Sequence, residues 1–112
     1  MGISKNAKLV VTVIAKEKTD KILEAIENEG VTKSTIILSR GKSENNPTLF
    51  LGITIEPQRE VIYTLVPKEK ADKIFNVITE AGDLNKPLQG LVFILDVEKV
   101  GGIDLSMFKE TN

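Results

Sequence analysis

Lys16-Glu17-Lys18-Thr19-Asp20-Lys21-Ile22 returns as Lys68-Glu69-Lys70-Ala71-Asp72-Lys73-Ile74, and what stands on either side repeats at the same offset of 52 residues. Upstream, Leu9-Val10-Val11-Thr12-Val13-Ile14-Ala15 lies over Val61-Ile62-Tyr63-Thr64-Leu65-Val66-Pro67, two β-branched runs with strand character. Downstream, each copy runs on to a glycine, Gly30 and Gly82. In between, Ile22, Leu23 and Ile26, and then Ile74, Phe75 and Ile78, fall at i, i+1 and i+4 among lysines and carboxylates, one apolar stripe per helix. The two glycines stand where a left-handed residue would end each helix.

Each strand–helix unit leads into another β-rich run, Ser34-Thr35-Ile36-Ile37-Leu38-Ser39 after the first and Leu91-Val92-Phe93-Ile94-Leu95-Asp96-Val97 after the second. The order predicts an α+β fold of one domain over residues 1–112. It is a ferredoxin-like βαββαβ sandwich, with a four-stranded antiparallel sheet, two helices on one face and an extended loop between the second and third strands. Its strands carry Val, Ile and Leu at consecutive positions, as strands buried on both sides do. The helix-free face is therefore expected to be covered by another subunit.

That loop, about residues 41–57, opens with the polar stretch Gly41-Lys42-Ser43-Glu44-Asn45-Asn46-Pro47 and continues as Thr48-Leu49-Phe50-Leu51-Gly52-Ile53-Thr54-Ile55-Glu56-Pro57, which alternates like a hairpin arm. It is long for a compact domain, and long loops on a rigid scaffold tend to carry function.

Composition removes whole classes of activity. The 112 residues include no cysteine, histidine or tryptophan, which excludes disulfides, Cys/His zinc sites, cysteine nucleophiles and histidine acid–base catalysis. Fifteen basic residues against sixteen acidic ones create no field for nucleic acid. No apolar run approaches the ~18 residues that a membrane span needs, so a cytoplasmic protein without membrane insertion is expected. A chain this small often gives its leftover apolar surface to an oligomer.

Two segments could recognise an anion. The two arginines, Arg40 and Arg59, stand at either end of the long loop, where paired guanidinium forks suit phosphate or carboxylate. Gly82-Asp83-Leu84-Asn85-Lys86-Pro87-Leu88-Gln89-Gly90, glycine-punctuated and holding one lysine, could offer backbone N–H groups to an anion. The plainer readings are solvated strand-end charges and an ordinary connection. Asp96 and Glu98 could share a face, but two acids without histidine argue little for a metal, and none is assigned. The tail from about 101 to 112, with Ile103, Leu105, Met107 and Phe108, reads as a packing arm.

Glu29-Gly30-Val31-Thr32-Lys33-Ser34-Thr35 running to Arg40-Gly41, Leu65-Val66-Pro67 before the second helix, and Gly90-Leu91-Val92-Phe93-Ile94-Leu95-Asp96-Val97-Glu98-Lys99-Val100 together resemble the nitrogen-regulatory PII signalling proteins. The resemblance implies a noncatalytic homotrimer, binding an adenine nucleotide (ATP, ADP or AMP) or a small anionic metabolite in clefts between subunits and needing no cofactor. It implies a protein target reached through the loop, with Lys42, Ser43, Glu44, Asn45, Asn46 and Phe50 as partner contacts. Thr35 matches an adenine-side contact, Gly41 and Arg59 match groups that approach the phosphates, and Lys86, Gln89 and Gly90 fall in the phosphate loop. Arg40 joins them at the loop base. The chain departs from the family pattern at Leu91, Gly102 and Asp104, where basic residues are usual, and at Asn85 and Leu88, where glycines are. Its one tyrosine, Tyr63, lies in a strand rather than in the loop, which argues against control by nucleotidylation. The stretches 82–87 and 96–100 look closest to a diverged branch associated with membrane transporters. The rival expectations are a metal-tolerance-type trimer of similar fold and a small carboxylate-based enzyme.

Overall fold

The computed structural model describes residues 2–4, 6–31, 35–39, 48–50, 53–55 and 59–103. Its central sheet grows from the repeat. Strand β2 (Ala7–Ala15) passes through a 3-10 turn (Lys16–Lys18) into α1 (Thr19–Glu27) and then β3 (Thr35–Ser39); β6 (Arg59–Pro67) passes directly into α2 (Lys68–Ala81) and then β7 (Gly90–Val97). The strand order is β3-β6-β2-β7, every pair antiparallel. Each βαβ unit therefore straddles a strand of the other, and the two halves interlock as the repeat predicts.

Register decides the faces, because opposed residues share one. Val10 faces Thr64 and Ile94, and Thr12 faces Ile62 and Val92. This side meets the helices: Val10, Ile14, Ile62 and Val66 pack with Ile22 and Ile26 of α1 and Ala71, Ile74 and Ile78 of α2. On the other side the rows read Leu9 with Leu65 and Leu95, Val11 with Tyr63 and Phe93, and Val13 with Val61 and Leu91. Val11, Val13 and Val61 form a second buried cluster there, with Leu9, Tyr63, Leu91 and Phe93 against it. Both sheet faces are apolar, as the consecutive Val, Ile and Leu positions require.

Beyond the four-stranded sheet lie four strands that the six-element pattern does not contain by itself. The hairpin of β4 (Thr48–Phe50) and β5 (Ile53–Ile55) is the arm expected from alternation in the long loop. The pairing of β1 (Gly2–Ser4) with β8 (Val100–Ile103) was not foreseen, and it gives the start of the tail a strand partner. Gly2, Gly101 and Gly102 carry almost no β-propensity, so pairing supplied by the fold prevails over local preference.

The helix ends correct one expectation. Gly30 does take a positive φ of 91°, and the N–H groups of Gly30 and Val31 close a Schellman motif on the carbonyls of Glu27 and Ile26. Gly82 has φ −93° and is not left-handed; Asp83, at φ 56°, takes that place, with the N–H groups of Asp83 and Leu84 bonded to Glu80 and Thr79. Gly82 sits in tight packing instead: a Cβ there would lie 3.1 Å from Ile14 Cδ1 and 3.3 Å from Ile22 Cδ1. Asp83→Gly should therefore raise stability by up to about 1 kcal/mol, read as a higher denaturant midpoint at unchanged slope. A lowered midpoint would contradict the capping assignment.

The repeated lysine has a structural role in both copies. Lys18 donates to the carbonyl of Gly82 after α2 (3.1 Å), and its equivalent, Lys70, donates to the carbonyl of Glu29 after α1. Each half thus places a cation at the negative end of the other half's helix.

Candidate functional site

Where β6 begins, its first residue stands opposite Ala15, the last residue of β2, and Gly90 opens β7 opposite Ile14. The sheet's end thus brings the return of the long loop beside the 82–90 connection. The Arg59 guanidinium reaches across with both arms, donating from Nη1 to the carbonyl of Gln89 (2.9 Å) and from Nη2 to that of Leu88 (3.1 Å). Lys18 approaches from the start of α1 and donates to the Gln89 side-chain oxygen as well as to Gly82. Two cations therefore hold one connection by its oxygens.

The connection's backbone explains its residues. Leu88 has φ 65°, and its side chain, 91% exposed, takes no part in the core. Gly90 has φ 140°, and a Cβ there would come within 2.3 Å of the Val13 carbonyl. Only glycine lets β7 start so close to β2. Lys86 is exposed, and its N–H closes a turn on Asp83 (3.0 Å). Among the described residues, the N–H groups of Leu88 and Gln89 have no backbone partner. Alternating backbone handedness with N–H groups left without backbone partners is the arrangement that makes anion-binding concavities.

Of the residues expected from sequence, Arg59, Gln89 and Gly90 come together here, with Lys86 on the same connection. Thr35 does not join them: it pairs with Thr64, five positions along β6 from Arg59. It lines a cavity of about 290 Å³ with Leu23, Ile26, Glu27, Val31 and Ile37. The hydroxyls of Thr12, Thr35 and Thr64, on three adjacent strands and one face, are enclosed with no partner among the described residues. Arg40, Gly41, Lys42, Ser43, Glu44, Asn45 and Asn46 lie outside the described residues, and Phe50 is described only as part of β4.

Two contributors were not read from the sequence. Lys18 could have been suspected from its place in the repeat. Glu60 is buried and accepts a hydrogen bond from the Thr19 hydroxyl at 2.6 Å, tying the start of α1 to β6 one residue beyond Arg59. Its signal was alternation: Ile62, Thr64 and Val66 face the helices, so Glu60 does too.

At the opposite end of the sheet, Asn6, Lys8, Lys68, Asp96 and Glu98 line a polar cavity of about 640 Å³. Asp96 is paired with Lys8, whose ammonium bonds one of its carboxylate oxygens. The Lys8 hydrogen bond, and then its charge, hold the carboxyl below the usual carboxylate value. A folded-state value lowered in this way stabilises the protein above the unfolded value of about 3.9, and the contribution is lost as pH falls through the folded one. An NMR carboxyl titration should find Asp96 below that value, and Lys8→Met should return it to the ordinary range. Among the described residues no three carboxylates gather as metal ligands.

The family model for nitrogen regulatory protein P-II matches residues 7–105, from the first residue of β2 to beyond β8. The chain belongs to the P-II family. Proteins of this family are generally noncatalytic signalling proteins that bind small ligands. Among solved structures, this P-II chain is similar to Arabidopsis thaliana PII bound to citrate, with a TM-score of 0.63 and 13% identity over 85% of this chain and 80% of the other. That likeness is one of fold. No helix among the described residues of this P-II chain is long and apolar enough to cross a membrane.

Proposed function

We propose that this protein is a trimeric P-II-type regulator that senses an adenine nucleotide or a small anionic metabolite between subunits and acts on a protein target through the 41–57 loop. The observation that carries the reading is the 82–90 connection, whose Leu88 and Gln89 N–H groups have no backbone partner among the described residues, whose exposed Lys86 suits an anion, and whose oxygens are tied by Arg59 to the end of that same loop. P-II proteins are typically homotrimers with protein targets and small effectors. In a cyclic assembly, residues far apart in one chain can meet across a subunit boundary, and on this reading Thr35 comes to the site from the neighbouring subunit. A membrane transporter is the target that stretches 82–87 and 96–100 favour. Ligand controls the loop only through different affinities for its two states.

The test is a thermal-shift screen of ATP, ADP, AMP, cyclic nucleotides, 2-oxoglutarate, citrate and bicarbonate, on protein whose mass is known from light scattering. A ligand at 100 times its dissociation constant adds about 2.7 kcal/mol, a readily visible shift. A trimer stabilised by one of these compounds is the expected result. A trimer indifferent to all of them overturns the sensing role, and a monomer overturns the intersubunit site.

A further inference from the structure

Arg59 is expected to face a ligand, yet each of its terminal nitrogens donates one N–H to a carbonyl of the connection that the ligand would meet. Lys18 is likewise bonded to Gln89 and Gly82. Carbonyl oxygens pointing into an anion site would repel the anion, and a left-handed Leu88 is unfavourable without something to hold it. Drawing the Leu88 and Gln89 oxygens toward Arg59 answers both problems at once.

We propose that Arg59 is a positioning residue for the anion site, which holds the Leu88 and Gln89 carbonyls away from the ligand, with Lys18 as its second anchor, and leaves ligand contact to the backbone N–H groups of 88–89 and to Lys86. The proposal rests on the reading that this connection takes an anion, and it reverses the role that family resemblance gives Arg59. It also makes Arg59 the joint between the ligand connection and the end of the 41–57 loop, since the residue that holds one is the residue at which the other re-enters the sheet.

The first arm of the test needs no ligand. Backbone relaxation measurements on the unliganded protein should give Leu88, Gln89 and Gly90 order parameters near the rigid value of about 0.85, falling below about 0.6 in Arg59→Met. Arg59→Lys keeps the charge but offers one donor centre for two carbonyls, so intermediate order is expected there; it serves as the deciding variant if Arg59→Met does not fold. Unchanged order in the substituted protein overturns the proposal. The second arm is calorimetry with AMP, ADP and ATP. A lost positioning residue should weaken all three by one common factor, about tenfold, while Lys86→Met should cost more as phosphates are added, because a direct charge contact grows with ligand charge. An Arg59→Met loss that climbs from AMP to ATP would place the guanidinium on the phosphates and overturn the proposal. If the wild-type protein binds none of the three, nucleotide sensing fails, and the relaxation data still decide what Arg59 does.

Discussion

Gly90→Ala should cost about 3 kcal/mol and lower the thermal midpoint by more than about 10 °C, because two independent penalties meet at one methyl group. The added Cβ would lie 2.3 Å from the Val13 carbonyl, which is backbone and cannot swing aside, and 3.1 Å from Ile14 Cδ1. A φ of 140° is also closed to a residue with a side chain. The strand cannot relieve the contact without giving up the Gly90–Ile14 register that positions the connection under Arg59. Two residues earlier the sign reverses. Leu88 has a positive φ and an exposed side chain, so Leu88→Gly removes strain without removing packing and should stabilise by about 1 kcal/mol. Thermal melts of the two variants check both statements. A Gly90→Ala protein melting within about 2 °C of wild type would mean that β7 starts elsewhere.

Much of this arrangement was legible because the determinants are side-chain patterns. The 52-residue repeat carries the interlocked halves, and the apolar rows from Leu9 to Val13 and from Val61 to Leu65 carry the two buried faces. Alternation after Pro47 carried the β4–β5 hairpin. What stayed hidden depends on backbone atoms, which look alike in every residue. Arg59 was visible as a cation at a loop base, but its partners are the carbonyls of Leu88 and Gln89, and no sequence pattern marks a carbonyl. For the same reason the helix-ending role went to Gly82 instead of Asp83: α2 runs on until Asp83 takes the position equivalent to Gly30, and the strict repeat offset misses that extra residue by one. The β1–β8 pairing fell to a similar blindness, since glycines adopt whatever partner the fold presents.

Phe93→Lys should convert the trimer proposed above into monomers, with a light-scattering mass that falls to that of one chain at micromolar concentration. Phe93 stands in the middle row of the helix-free face, beside Val11 and across it from Tyr63. On the helix-free face Leu95 is exposed and Leu9, Tyr63, Leu91 and Phe93 are only partly buried around the Val11–Val13–Val61 cluster, leaving apolar surface of the kind that marks an interface. In a closed ring every interface would bury the same lysine, and an unpaired buried charge costs several kcal/mol each time. Because Phe93 also packs on buried Val11, a second variant separates assembly from folding: Leu95, on the same face and already 37% exposed, can become lysine with little loss within one chain. If Leu95→Lys keeps a native circular dichroism spectrum and runs as a monomer, the helix-free face is the assembly surface. Anion binding should then disappear with the trimer, since the proposed site takes its Thr35 side and its 82–90 side from different subunits. A Leu95→Lys trimer would place the assembly surface elsewhere, and a monomer that still binds the anion at full affinity would confine the site to a single chain.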